Sequence, residues 1–226
     1  MLAYDTLDGE MQKEYLSLRK MLLLRQQKLP VTMGLEAINR ILKAVLTDDP
    51  RIFWFSGKWI LRDHDGHRYV QPQYLMSESD IEEAKQIIEQ YVRCFLSLPD
   101  RSAYDKARLV FDWLLKNVEY AMGMTMGQTI YDVFVERKAV CKGIAKAYQL
   151  LLKGMGVRTT LVEGSLDGVA KHVWNLVYVD GSWLHVDVCM GYECFSALFK
   201  ENQKNDPYRC FLVTDTEIMW THRIWK

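Results

Sequence analysis

The sequence predicts an α+β fold, and three observations support this. The first half is dominated by apolar residues at helical spacing, whereas the second half carries short segments typical of β-strands. Asp180-Gly181, between two of those segments, is a strong signal for a two-residue hairpin turn. The chain has no internal repeat and no linker rich in Pro, Gly or Ser. We therefore expect residues 1–100 to form a helical N-terminal region with a small β-hairpin, packed on a core of residues 101–226.

Three helices and one hairpin are predicted in the N-terminal region. Pro30 and Pro99 stop two of the helices, because proline cannot continue a helix. Ser77 or Ser79 is expected to cap the start of the helix that Pro99 stops, and residues 63–66 supply the hairpin turn. The predicted elements are a helix over 5–28, a helix over 35–48, strands over 52–61 and 68–75, and a helix carrying apolar residues from 81 to 95.

The core is expected to contain two helices followed by three strands. The second of these helices is Ala139 to Lys153, and glycines close it. Its Lys142, Lys146, Gln149 and Lys153 share one face, which we expect to be solvated, while the opposite face should be buried. The predicted core elements are helices over 107–118 and 139–153 and strands over 157–163, 172–179 and 182–188.

The Asp180-Gly181 turn determines how the last two strands pair. If these residues form the turn, the register places Trp174 opposite Asp187. His172 and Asp187 are then diagonal neighbours on one face, with Cβ atoms ~7 Å apart, within reach of a hydrogen bond. A slip of one residue would send the two side chains to opposite faces.

Cys141 completes a candidate catalytic set. It lies in the first turn of a predicted helix, where the helix dipole favours the thiolate. Nucleophilic catalysis needs a thiolate, an imidazole and an acceptor that orients the imidazole, so Cys141, His172 and Asp187 predict covalent chemistry. Gly143 is expected to leave room for a substrate backbone near the helix start. Taken singly, a helix Cys is most often a small buried hydrophobe, so the prediction depends on the combination.

Three sequence blocks occur in order in the second half. They are Val140-Cys141-Lys142-Gly143-Ile144-Ala145-Lys146-Ala147, His172-Val173-Trp174-Asn175, and Asp180-Gly181-Ser182-Trp183 leading to Asp187. Together they resemble the bacterial transglutaminase-like family, which belongs to the papain-like cysteine enzymes. The resemblance covers about residues 104–222. It implies a core in which a helix bearing the nucleophile packs on an antiparallel sheet.

The resemblance implies a role for each member of the set. Cys141 would be the nucleophile, His172 the general base and acid, and Asp187 the orienter. The oxyanion hole would use the backbone N–H of Cys141 and a side-chain donor from upstream. Tyr131 is the first choice for that donor and Gln128 the second.

The wall of the substrate cleft departs from the family pattern. Cys189-Met190-Gly191 stands where the family usually has Thr, an aromatic residue and Asp. Trp174 is expected in the core, with a role as a substrate stacker in the cleft as the alternative. Asn175 faces away from His172 by strand alternation and is expected to make a structural hydrogen bond.

Composition excludes several functional classes. The 29 Lys+Arg balance 29 Asp+Glu, which argues against nucleic-acid binding. We expect no membrane span and no signal peptide, and hence a cytoplasmic location. No phosphate, dinucleotide or calcium loop occurs, so no cofactor is predicted. Zinc is not predicted either, because the possible ligands lack Cys-x₂-Cys spacing; these are Cys189, Cys194, Cys210, His185 and His222.

The expected activity is thiol acyl transfer on the amide bonds of a protein or peptide substrate. Hydrolysis by a peptidase or amidase is favoured, since no sequence feature marks an amine-binding tunnel. Glutamine cross-linking remains open, because the same triad serves both reactions. A non-catalytic binding module that has kept the fold is the further alternative, motivated by the altered segment after Asp187.

Overall fold

The computed structural model describes residues 3–64, 66–122, 127–168, 170–200 and 205–225. The α+β fold class is confirmed. The chain divides into two compact units, Met1–Glu83 and Ala84–Lys226, and the division falls within the helix Glu78–Leu96. The domain boundary expected after residue 100 and the packing of the two regions stay predictions.

Among its described residues, the first unit contains two complete helices and a three-stranded antiparallel sheet. In chain order its elements are a 3₁₀ turn Ala3–Thr6, α1 (Gly9–Leu23), β1 (Leu29–Val31), α2 (Leu35–Asp48), β2 (Phe55–His64) and β3 (His67–Tyr74). The strand order is β1-β3-β2. Asp8 caps α1 by accepting from the Met11 N–H at 2.9 Å, and the apolar stripe of α2 packs on α1.

The predicted helix over 5–28 is too long at both ends. Residues 3–6 form a 3₁₀ turn, and α1 ends at Leu23. Pro30 lies within β1, where it pairs with Tyr69 of β3. A proline is tolerated there because β1 is an edge strand and needs no N–H on its outer side.

The second unit contains most of the helices and a five-stranded antiparallel sheet of order β10-β6-β7-β8-β9. β4 and β5 form a separate parallel pair. The helices are α3 (Glu78–Leu96), which begins in the first unit, α4 (Ala103–Asn117), α5 (Ile130–Phe134), α6 (Cys141–Gly154) and α7 (Asp215–Ile218). The strands are β4 (Glu119–Tyr120), β5 (Lys138–Ala139), β6 (Thr159–Leu166), β7 (Ala170–Val179), β8 (Ser182–Val186), β9 (Phe211–Val213) and β10 (His222–Ile224). Two 3₁₀ helices, Val188–Gly191 and Glu193–Leu198, follow β8.

The central helix α6 is buried on nearly every side. It packs against α4 and α5 and against strands β6 and β7. The expectation of a solvated face is therefore wrong for Lys146 and Gln149, which are 5% and 0% exposed. A helical wheel assigns polar residues to solvent, but here neighbouring elements cover that face as well.

The β7–β8 hairpin has the predicted register. Tyr178 pairs with Trp183, and the pairing continues to Asn175 opposite Val186. Asp180 and Gly181 form the turn with φ of +48° and +86°. Two consecutive positive φ values suit the two-residue turns that match strand twist, which is why an Asp-Gly pair is favoured there.

Within the described ranges, no helix combines the length and apolar character needed to cross a membrane.

Candidate active site

His172 and Asp187 form a buried hydrogen-bonded pair beside the end of the hairpin. His172 Nε2 lies 2.6 Å from Asp187 Oδ2, and the side chains are 2% and 1% exposed. A carboxylate only accepts, so Nε2 carries the proton and donates it to Asp187. Nδ1 of His172 is then the ring nitrogen that remains for a second partner.

Asp187 is held by two further donors. Its Oδ1 accepts the backbone N–H of Cys189 at 2.9 Å, which caps the 3₁₀ helix Val188–Gly191. Its Oδ2 also lies 3.0 Å from Nε2 of His222, a residue of β10. The segment that departs from the family pattern therefore helps to fix the carboxylate.

The electrostatics of the pair favour a charged imidazolium. Burial opposes the positive charge of His172, but the carboxylate of Asp187 outweighs it by charge and hydrogen bonding and raises the pKa of His172 to about 10. A hydrogen bond and charge interaction with Cys141 add to this raised pKa. Burial also opposes the charge of Asp187, yet His172 and then His222 hold its pKa well below the usual range.

Cys141 is the first residue of α6 and is partly exposed. Its helix begins without a side-chain cap, so backbone N–H groups of the first turn remain available for a negative charge. The Val140 N–H donates to the Gly127 carbonyl at 3.0 Å and anchors the start of the helix. A hydrogen bond and a charge interaction link this thiol to His172.

Tyr120 of β4 lies beside the thiol, and sequence analysis did not identify it. Burial first, and then charge at Cys189, Cys141 and Asp187, raise the pKa of its phenol far above the usual value. A hydrogen bond with the backbone of Cys141 opposes this rise. The phenol therefore keeps its proton at neutral pH and can donate next to the helix start.

The two predicted oxyanion donors lie just upstream of α6. Tyr131 is half-buried in α5, and Gln128 is exposed two residues before that helix. Their role as donors stays a prediction.

Gly143 faces the chain's own backbone rather than an open cleft. It is buried, and a Cβ at this position would lie 2.5 Å from the Gly127 carbonyl oxygen and 3.1 Å from that of Thr129. The missing side chain makes room for the loop before α5, so the space predicted for a substrate backbone is occupied.

Trp174 is a core residue that organises three histidines. It is 1% exposed, and its Nε1 donates to Nδ1 of His185 at 2.9 Å. Its ring stacks near that of His172, with a centroid separation of 6.1 Å, and meets that of His222 edge-on at 4.7 Å. Asn175 points the other way and donates to the Ala145 carbonyl of α6 at 3.0 Å, which is a structural bond.

A comparison with protein families identifies the kind of domain. Residues 77–188 match the model of the transglutaminase-like superfamily. The chain carries a transglutaminase-like domain. The resemblance seen in the sequence is thereby confirmed, and the domain belongs to a family of cysteine enzymes. No curated protein matches the chain in sequence.

Solved structures that are similar to this chain include the following three, compared by identity, TM-score and the share of each chain that is covered. A TGase is 13% identical, with a TM-score of 0.43, over 71% of this chain and 50% of that one. A candidate cysteine protease from Cytophaga hutchinsonii is 16% identical, with a TM-score of 0.38, over 58% and 61%. The periplasmic domain of TgpA from Pseudomonas aeruginosa, bound to ethylmercury, is 20% identical, with a TM-score of 0.27, over 55% and 55%. The chain thus spans between half and two thirds of these neighbours' lengths, and its cytoplasmic location stays a prediction.

His222 also belongs to this cluster, and no sequence pattern pointed to it. In the sequence it stood only among possible zinc ligands, and zinc was not predicted. In the structure its ligand atom and those of His172 and Asp187 lie within 4.8 Å of one another, a spacing that a metal ion can also use. Hydrogen bonds between these three groups already satisfy the carboxylate.

Proposed function

We propose that this domain is a thiol acyl-transfer enzyme in which Cys141 is the nucleophile, His172 the general base and acid, and Asp187 the orienter. The observation that carries the proposal is the direction of the imidazole. Because Nε2 of His172 is bonded to Asp187 at 2.6 Å, Nδ1 is left for the thiol with which His172 interacts. This is the ordered set that nucleophilic catalysis requires.

The reaction follows from these positions. The Cys141 thiolate attacks an amide carbonyl carbon, and the carbonyl π electrons move to oxygen. The tetrahedral intermediate collapses as the C–N bond breaks, and His172 delivers its proton to the departing amine, leaving a thioester. His172 then takes a proton from water, which attacks the thioester carbonyl carbon; the C–S bond breaks, and the carboxylic acid and the Cys141 thiolate are released.

Tyr120 supports the negative oxygen that forms in both steps. Its phenol keeps its proton and lies against the backbone of Cys141. We assign the oxyanion hole to the Cys141 N–H and the Tyr120 hydroxyl. One donor of this kind typically contributes 10²–10³-fold to the turnover rate.

Hydrolysis is the outcome we propose, because water needs no binding site of its own. Glutamine cross-linking is the alternative, in which a lysine amine replaces water in the second half-reaction. The two are separated by intact-mass analysis of casein peptides with and without methylamine, with Cys141→Ala as the blank. Peptides that gain methylamine without being cleaved would overturn hydrolysis in favour of cross-linking.

Thiol alkylation tests whether a catalytic centre exists at all. Cys94 is an exposed cysteine of the same domain and serves as an internal reference. We expect iodoacetamide to modify Cys141 at pH 6 at least 10-fold faster than Cys94, and His172→Ala to abolish this preference. Equal rates in the wild-type protein would support the alternative of a binding module that retains the fold.

A further inference from the structure

We propose that His222 is a positioning residue for this site, which holds the Asp187 carboxylate in the orientation that His172 needs. The inference rests on the proposed function and extends it to a strand that the catalytic set does not include. His222 is completely buried, and its Nε2 lies 3.0 Å from the same Oδ2 that accepts from His172.

Both ring nitrogens of His222 have a hydrogen-bond partner. Nε2 must carry a proton, because Asp187 as a carboxylate only accepts. Nδ1 lies 2.8 Å from the Thr221 hydroxyl, which donates to it when the imidazole is neutral. His222 therefore presents an N–H to Asp187 while its other ring nitrogen is held by Thr221.

A glycine lets His222 reach the carboxylate. β10 pairs with β6, and β6 pairs with β7, so Gly164 lies between Ile224 and His172 in the sheet. A Cβ on Gly164 would be 2.1 Å from the Arg223 carbonyl oxygen and 2.7 Å from the Trp174 ring. The absent side chain makes room for the indole, and His222 packs edge-on against that ring at 4.7 Å.

The result is a carboxylate with no freedom to rotate. One oxygen accepts from His172 and His222, and the other accepts from the Cys189 N–H. The ionisable groups that face Asp187, from every element around it, are His172 of β7, His222 of β10, Cys189 after β8, Cys210 before β9 and Tyr120 of β4. Of these, only the two histidines bring an N–H to Oδ2.

Two substitutions at position 222 separate donation from packing. His222→Met keeps a side chain of similar size and removes the donor. His222→Gln keeps an amide N–H near the position of Nε2. His185→Met is the matched control, because His185 is an equally buried histidine of the same sheet whose Nε2 bonds to Asp215 at 2.9 Å and not to Asp187.

The pH profile of Cys141 alkylation is the functional readout. Without the donor, the Asp187 carboxylate can rotate, its hydrogen bond to Nε2 of His172 weakens, and the imidazolium loses support. We expect His222→Met to move the acid-side midpoint of the profile upward by about one pH unit, and His222→Gln to restore it. His185→Met should leave the midpoint unchanged. An unchanged midpoint in His222→Met, or an equal shift in His185→Met, would overturn the proposal.

Histidine-ring ¹H–¹⁵N spectra test the contact even if Cys141 proves unreactive. We expect a downfield Nε2 ring proton for His222 that disappears in His222→Met. A His222 ring whose Nε2 carries no proton would refute the inference while leaving the thiol chemistry untouched. Alkylation that needs Zn²⁺ after EDTA treatment, and loses this need in His222→Met, would also refute it by making His222 a metal ligand.

Discussion

Adding one methyl group at Gly143 should destabilise the protein because the space is occupied by backbone. The new Cβ would lie 2.5 Å from the Gly127 carbonyl oxygen, so that oxygen or the helix must move about 0.5 Å to reach even the 3.0 Å limit of real contacts. The same oxygen accepts the Val140 N–H at 3.0 Å, so the movement strains the bond that anchors α6.

The change in the free energy of unfolding is the sum of two destabilising contributions and one stabilising contribution. Overpacking costs about 1–3 kcal/mol, and a weakened backbone hydrogen bond costs about 0.5–1.5 kcal/mol. Alanine in a helix regains about 1 kcal/mol over glycine. We therefore expect Gly143→Ala to lower the free energy of unfolding by about 0.5–3.5 kcal/mol.

Gly154 in the same helix provides the matched control. A Cβ there would meet only Leu96 and Val92 side-chain carbons at 3.7 and 3.9 Å, which are ordinary contacts. We expect Gly154→Ala to raise the free energy of unfolding by about 0.5–1 kcal/mol.

Urea denaturation of both alanine variants and the wild-type protein, followed by circular dichroism, measures these changes through the midpoint at constant slope. Opposite shifts of the two midpoints are the expected result. A Gly143→Ala protein as stable as the wild type would show that the loop before α5 yields without cost, and the packing argument would be wrong.

Three further predictions concern charge and the oxyanion. Burial first, and then the charge of Lys142, lower the pKa of Lys146 to about 7. Between pH 7 and 10 the unfolded chain therefore binds one more proton than the folded protein, so the free energy of unfolding of the wild type rises with pH over that range. Lys146→Met should accordingly stabilise the protein most at pH 7 and below, which the pH dependence of the urea midpoint measures. The raised pKa of His172 has the opposite effect on stability. The stabilisation that the charged imidazole gives to the folded protein is complete below about pH 6.5 and is lost as the pH rises through about 10. The difference in free energy of unfolding between the wild type and Asp187→Asn should therefore shrink across that interval. Tyr120→Phe should lower amide turnover by about 10²-fold while changing the alkylation rate of Cys141 less than 2-fold, and an equal loss in both assays would count against the oxyanion role.

Local chemistry made the hairpin and the His172–Asp187 pair predictable. An Asp-Gly turn with two positive φ values restricts the register to one choice. That register places His172 and Asp187 on one face, where they are hydrogen bonded. The fold class followed equally well, because the change from helical to strand periodicity is a property of neighbouring residues.

Burial around α6 was not predictable from the same patterns. Lys146 and Gln149 lie on a face that is polar in sequence yet covered by neighbouring elements. Pro30 lies where the sequence predicts the end of a helix, but in the structure it belongs to the edge strand β1, which pairs with β3. In each case the partner comes from a distant part of the chain and leaves no local signal.

The sequence by itself determined the class of fold, the order of Cys141, His172 and Asp187 along the chain, and the register that aligns the last two, because all of these depend on short-range geometry. The tertiary structure decided which groups surround that set. His222 reaches Asp187 from 35 residues away, and Tyr120 approaches Cys141 from a strand before α5. Such contacts arise only when the sheet and helices pack, since the sequence around a single histidine or tyrosine does not identify the residue that it will contact.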